Sequence, residues 1–523
     1  MLNWIDTFVP LVYLAIISGV AWWSSRRVES ADDLFLAGRG LGFGLVGLSL
    51  FASNISSTTL IGLSGAAYTS GIAVANYELM AGVVLLFAAV FLIPVYLRTH
   101  CRTVPEYLQL RYSPRIRKYV SAWMIALSIL VDTAGSLYAG ALVLQVFLPD
   151  LPLWPAVFFL GVFAGVYTIF GGLRAVMLTD AIQAAILLIG SAIISVTVFA
   201  AFDFSWSAAT ARLPDGHLSL LKPMSDSDMP WTGLLFGVPI LGLYYWSMNH
   251  YISQRFLAAA SEDHARWGAT LAASLKLLPL FLMVLPGAMA VSLFPDLPSG
   301  DQVFPTLVKE LLPVGLRGIV LAAILAAIMS TIDSTINAAS ALVHYDFLER
   351  SSDNPPTDLS APKQLFRARG LTLGFMMVAI AWAPVIANFP NLFFYLQQMF
   401  AVAVPPFVVV YILGLWWRSG TSSGAWVCLL AGHGLGIILL VVDQMGYWPL
   451  HFLETAGLTT IICALVYVIG SRLGIKTQHP NDTSTFWSIK MLPMSRRYPW
   501  FLDYRAQLLM ILLALVIILF IFR

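Results

Sequence analysis

About fourteen stretches of roughly twenty apolar residues recur along the chain with short polar connectors between them, and a helix of that length spans the hydrocarbon core of a bilayer. Inside lipid every backbone amide and carbonyl must find its partner within the protein, which leaves helices or closed barrels, and these runs are too long and too uniformly apolar for barrel strands. They cover residues 4–23, 41–67, 72–97, 119–148, 154–173, 175–202, 231–252, 269–293, 316–344, 371–388, 392–417, 425–442, 452–469 and 506–522. With 59% hydrophobic and 11% charged residues among 523, the chain lacks the polar surface to cover a soluble globule, so it reads as an all-α membrane protein of about 14 transmembrane helices.

The first run has no basic leader or small-residue cleavage site and ends in Ser24-Ser25-Arg26-Arg27, so it reads as a retained helix rather than a signal peptide. Alternate connectors hold nearly all the basic residues: Arg26, Arg27 and Arg39; Arg98 through Lys118; Arg174; Arg255 and Arg266; Arg350 through Arg369; Arg418; and Arg472 through Arg505. Cytoplasmic loops retain lysine and arginine, so both termini are expected outside, on the periplasmic face of a cell (inner) membrane. Lys276 fits neither set, because it lies inside the run 269–293.

No connector is long enough for a separate domain, so residues 1–523 are expected to form a single transmembrane unit. Asp353-Asn354-Pro355-Pro356 reads as a flexible cytoplasmic loop and 476–504 as a linker before the last helix. Three scattered cysteines and eight dispersed histidines give neither a disulfide framework nor metal-ligand spacing, so no cofactor is expected. The net charge of +2 gives no reason to expect a nucleic acid partner, and no nucleophile or paired-acid site points to an enzyme.

Polar residues inside the apolar runs carry the functional information. In the run 316–344, Ser330, Asp333, Ser334 and Asn337 fall at i, i+3, i+4 and i+7, an oxygen-rich stripe with Ala327 and Thr331 beside it. A carboxylate at the centre of a spanning helix costs about 3 kcal/mol, so Asp333 should face protein or a bound cation. On the residues alone, the stripe is equally a cation site or an interhelical hydrogen-bond seam. The second run is interrupted by a polar insert, Ala52 through Thr59, and the seventh by Gly237-Val238-Pro239 and Gly242, five helices later. Paired breaks at corresponding positions suggest an inverted repeat with a binding site at the membrane midplane.

Several motifs then carry a family resemblance: FLAGRGL at 35–41, FASNISSTTLIGLSG at 51–65, YTIFGGLRAVMLTDAIQ at 167–183, YYWSMNHYISQR at 244–255 and AAIMSTIDS at 326–334. From about residue 4 to 417 the chain resembles the sodium/solute symporter family, most closely its sugar branch of bacterial sodium/galactose symporters and animal sodium/glucose cotransporters. The resemblance implies a LeuT-type inverted five-helix repeat with broken first and sixth core helices. An extra helix at 4–25 would precede repeats at 41–202 and 231–418, with peripheral helices at 425–523. It implies a sodium site built from the carbonyls of Ala52, Ile55 and Ala327 and the hydroxyls of Ser330 and Thr331. A second cation would use Asp180, Ser330, Asp333 and Ser334, with Asp180 otherwise hydrated near the cytoplasmic end or paired with Arg174. Solute contacts would be Thr59, Glu78, Asp132, Tyr245, Lys276 and Gln397, with Lys276 either touching solute or neutralising Glu78 or Asp132.

Thr59 and Gly242 stand where the galactose branch has amides, and Asp132 where the sialic acid branch has an arginine, which argues against an anionic cargo. The expected function is sodium-coupled import of a small neutral solute, a monosaccharide first, by alternating access. Another sodium-coupled cargo (polyol, amino acid or sialic acid) and a membrane sensor on the same fold are the alternatives, although no signalling domain follows the last helix.

Overall fold

The computed structural model describes residues 3–26, 30–147, 150–348, 361–388, 392–474, 483–494 and 498–523. Among these the chain is helical, with isolated backbone bridges (Leu41 with Ala259, Lys222 with Pro230) in place of any sheet. Eleven helices are long and apolar enough to cross a membrane, and 12 if the bent pair Phe43–Asn54 and Thr59–Ser70 is one span. The remaining two expected runs stand apart from that count. One continues as the shorter apolar helix Leu153–Gly165, and the other is divided into Trp231–Phe236, Val238–Leu243, a π-helical turn Tyr244–Met248 and His250–Leu257. The loop at Asp353–Pro356 lies outside the described residues. The described parts of 476–504 are packed: Tyr107 donates to the Thr485 carbonyl (3.1 Å) and Trp487 to the Val90 carbonyl (2.9 Å).

Leu316–Val343 is the hub. Of its most apolar span 89% is buried, against 22% for Trp4–Ser24 and for Tyr504–Ile521, which places those two at the lipid-facing periphery. The helix running on from Gly172 packs along the hub with Gly190 against Ala323. Phe43–Asn54 crosses Glu262–Leu275 through Gly47 and Gly268, where a Cβ added at Gly268 would lie 2.5 Å from Val46. Without a hydrophobic force between helices in lipid, such close backbone contact is what holds them together.

The first break falls where the polar insert suggested. Ile55 and Ser56 leave helical geometry, and Ser56 takes extended dihedrals as N-cap of Ser57–Ser70, its hydroxyl accepting from the Thr59 amide (3.2 Å). The Thr59 hydroxyl donates back to the Asn54 carbonyl (2.8 Å). Short polar side chains that bond their own backbone compete with the helical ladder, and here they replace it.

The seventh run parts at Gly237, but its departure from helical dihedrals comes further on. Gly237 keeps right-handed helical dihedrals and Pro239 sits in the first turn of Val238–Leu243, where its missing N–H is no loss. The chain leaves the helix at Asn249 (φ −63°, ψ 129°), whose side chain accepts from the Tyr251 amide (3.3 Å) and caps His250–Leu257. Not all of the arginines counted in the basic connectors are exposed. Arg111, Arg255 and Arg266 are buried, Arg111 donating to the carbonyls of Gly414 and Trp417 (both 2.9 Å) and Arg266 to that of Ala89 (3.2 Å).

Candidate functional site

Helix geometry brings four serines to one level. Ser49 and Ser53, four residues apart on the first limb of the bent pair, face Ser330 and Ser334, four apart on the hub. Asp180 enters between them from the helix that continues past Gly172. Its Oδ2 accepts from Ser49 (2.5 Å) and Ser53 (3.1 Å), its Oδ1 from Ser330 (2.5 Å). The cationic partner is Arg255, not Arg174. Arg255 Nη2 lies 3.0 Å from Asp180 Oδ2, and neither side chain is exposed. The guanidinium also donates to Ser49 (2.8 Å), Ser334 (2.5 Å), Ser53 and the Tyr251 carbonyl. A protein cation thus occupies the place proposed for a second bound ion. Asp333, although buried, takes no part in these bonds. On the first helix, the Tyr13 hydroxyl accepts from Gln183 Nε2 (2.9 Å).

Below this cluster in sequence, Gln254 donates to the Phe35 carbonyl (2.6 Å) and to Asn337 (3.2 Å), and every residue of His250–Leu257 is buried. The limb His250–Leu257 is therefore enclosed by the helices around it.

At the break itself, the Ser56 amide turns to the Asn54 carbonyl (2.8 Å), so the donor that would have extended the helix onto the Ala52 carbonyl is used elsewhere. Thr331 donates to the Ala327 carbonyl (3.2 Å) and Ser330 to Asp180, which commits both hydroxyl protons and leaves their lone pairs available. Ala52, Ile55, Ala327, Ser330 and Thr331 are all buried. Neutral carbonyl and hydroxyl oxygens of this kind suit a hard monovalent cation.

Next to the break lies a cavity of about 120 Å³. Of the residues expected to touch solute, Thr59, Glu78, Asp132, Tyr245 and Gln397 line it, as do Ser56 and Thr331 from the break and the hub. Lys276 does not. It is fully buried behind the wall, its Nζ 2.5 Å from Glu78 Oε2, also donating to Asn54 and lying 4.7 Å from the centre of the Trp246 ring. Lys276 thus neutralises Glu78 and ties the end of the first limb to the Asn76–Phe91 helix. Tyr251 donates to Tyr245, whose ring meets Phe400 edge-on at 6.1 Å and floors the cavity on the side of His250–Leu257. A second cavity of about 370 Å³, lined by Ser70, Asp228 and Asp301 among others, shares Tyr77 with the first and lies toward the opposite end. In the Gly300–Gln302 turn there, burial pushes the Asp301 carboxyl above its ordinary range.

Arg255 and Asn54 are residues of this site that sequence reasoning passed over. Ser49 and Ser53, spaced for one helix face opposite Ser330 and Ser334, were the available sign that Asp180 would be ringed by donors.

A model of the sodium:solute symporter family matches residues 34–432. A sodium/glucose cotransporter of Vibrio parahaemolyticus is 31% identical over 500 residues, covering 88% of this chain and 91% of that protein. The human sodium/myo-inositol cotransporter 2 is 35% identical over 482 residues, covering 85% and 71%. Among solved structures, the substrate-bound outward-open state of a Na+-coupled sialic acid symporter matches with a TM-score of 0.79 at 22% identity, covering 90% of this chain and 98% of that one, a likeness of fold.

Proposed function

The chain belongs to the sodium:solute symporter family, whose members are sodium-coupled membrane transporters rather than enzymes, and on that premise we propose that it imports a small neutral polyhydroxylated solute, a monosaccharide first, by alternating access. The observation that carries this reading is the shared wall: Ser56 at the break and Thr331 on the hub line the same cavity as Glu78, Asp132 and Gln397, so an ion and a solute would sit one residue apart. Glu78 and Asp132 accept from hydroxyls, Gln397 donates and accepts, and Tyr245 offers an aromatic face to a sugar ring. A cyclitol is the second reading, supported by the 35% identity to a sodium/myo-inositol cotransporter.

Sodium would bind the carbonyls of Ala52, Ile55 and Ala327 and the hydroxyls of Ser330 and Thr331, holding the break in the shape that completes the solute site. With Arg255 resident between Asp180, Ser53 and Ser334, we assign one coupling ion in this arrangement. A second cation could share Asp180, Ser330, Asp333 and Ser334 only after the guanidinium withdraws. Withdrawal of His250–Leu257 would also lower Tyr245 and open the path toward the basic connectors. The topology proposed with this mechanism is 14 spans in one domain, with an inverted repeat at 41–202 and 231–418, peripheral helices at both ends and both termini outside a cell membrane. Uptake into proteoliposomes, measured against a panel of hexoses, cyclitols and amino acids, tests the cargo: sodium-driven accumulation of a hexose or cyclitol is expected, and accumulation of amino acids alone would replace it.

A further inference from the structure

The cavity is lined by a carboxyl group that no cation of the described residues pairs with. Two acidic side chains line it, Glu78 and Asp132. Glu78 is neutralised from behind by Lys276, which does not reach the cavity wall. Asp132 is different. It is 8% exposed, its Oδ2 accepts no hydrogen bond, and no ion pair among the described residues includes it.

The backbone holds that carboxylate in place. Asp132 belongs to a π-helical turn, Leu127–Thr133, an insertion of the kind that re-aims side chains at functional sites. Thr133 donates to the Ser128 carbonyl (2.7 Å) and lies 2.7 Å from the Thr335 hydroxyl, while Tyr395 donates to the Leu130 carbonyl (2.8 Å). The turn is thereby pinned to the hub and to a second helix, with Asp132 directed into the cavity. Around the same space stand the rings of Tyr77, Tyr245, Trp246 and Phe400. A buried carboxylate bounded by aromatic faces is the composition that holds organic cations, through the ion pair and the ring quadrupoles together.

We propose that the cavity takes protonated amino sugars as a further substrate class, with the ammonium group on Asp132 and ring hydroxyls on Glu78 and Gln397. This rests on the reading of the cavity as a site for polyhydroxylated solutes. A neutral sugar can offer Asp132 only hydroxyl donors, whereas a protonated amine at the same position gives the carboxyl a cation to pair with. An anionic sugar brings a second negative charge to the same wall.

The test is equilibrium binding to the full chain in nanodiscs, in sodium buffer at about pH 6, where a sugar amine is protonated. The probes are glucosamine, glucose, N-acetylglucosamine and glucuronate. Glucosamine should bind about tenfold or more tighter than glucose and N-acetylglucosamine, and glucuronate most weakly. The preference should disappear in Asp132→Asn and survive in Asp132→Glu. Glucosamine binding no tighter than glucose in the unaltered protein, or an undiminished preference in Asp132→Asn, would overturn the proposal while leaving the neutral-solute reading standing. Absence of sodium-dependent binding by all four probes would remove both.

Discussion

Replacing Arg255 with methionine removes the only cation among the described residues that contacts Asp180, and keeps most of the side-chain volume. The guanidinium satisfies Asp180, Ser49, Ser53, Ser334 and the Tyr251 carbonyl at once, with no exposure to solvent. Stranding one member of such a buried pair costs about 3–5 kcal/mol. Asp180 would keep its bonds from Ser49 and Ser330, which argues for the lower end, about 3 kcal/mol, or roughly 150-fold in an equilibrium constant. Arg255 rides on His250–Leu257, while its partners Asp180, Ser49, Ser53 and Ser334 belong to other helices. The loss therefore falls on the arrangement in which that limb is docked, and the population should shift toward an opening at the basic end. Leu241 lines the cavity and can be changed to cysteine in a background with Cys101, Cys428 and Cys463 replaced by serine. Labelling by a membrane-impermeant thiol reagent, in vesicles of each orientation, then reads which side is open. Arg255→Met should raise labelling from the basic end at least about tenfold and lower it from the other. Arg255→Lys should fall between, because an ammonium can pair with Asp180 but cannot bridge the same set of oxygens. Unchanged labelling from both sides, with the variant still folded, would refute the assignment of Arg255 as the closure of that end.

Thr331→Ala removes one expected ion ligand and a cavity wall at once, and the sodium concentration for half-maximal uptake should rise about tenfold, read from sodium titrations in proteoliposomes. Glu78→Gln strands Lys276 in the interior and should destabilise the protein by about 3 kcal/mol in thermal denaturation. The double variant Glu78→Met with Lys276→Met should recover that stability while solute uptake stays abolished, since an apolar pair tolerates burial but cannot accept from hydroxyls. Gly268→Ala should lower stability by about 1–3 kcal/mol with sodium affinity unaltered, because its added methyl meets Val46 across a helix crossing remote from the cavity.

Eleven of the expected spans, and a twelfth if the bent pair is one, were legible because length and apolarity alone decide them. The first break was legible because Asn54, Ser56 and Thr59 advertise the side-chain bonds that replace the helical ladder. At the second, glycine and proline marked the parting at Gly237, yet Pro239 sits where a helix tolerates it and the departure from helical dihedrals at Asn249 follows a π-helical turn with no compositional mark. Lys276 declared itself as a misfit among apolar neighbours, and one of its two weighed partners, Glu78, is the one it holds. Arg255 could not be read that way. Counting basic residues treats any arginine near the end of a run as a loop residue, and its burial depends on an acid and three hydroxyls gathered from distant segments. Only the fold assembles those partners. Asp132 was visible as an intramembrane acid, but the charge balance of its cavity depended on which side of the wall Lys276 would take.

In the proposed mechanism an ion at the break and a solute in the adjoining cavity stabilise one another through Ser56 and Thr331. The most direct measurement is a pair of titrations on the same purified protein: solute affinity at a series of sodium concentrations, and sodium affinity at a series of solute concentrations. Linkage requires that the two ligands raise each other's affinity by the same factor, expected at about 5- to 150-fold, with potassium unable to substitute. A solute affinity that is the same in sodium and in potassium would contradict the claim.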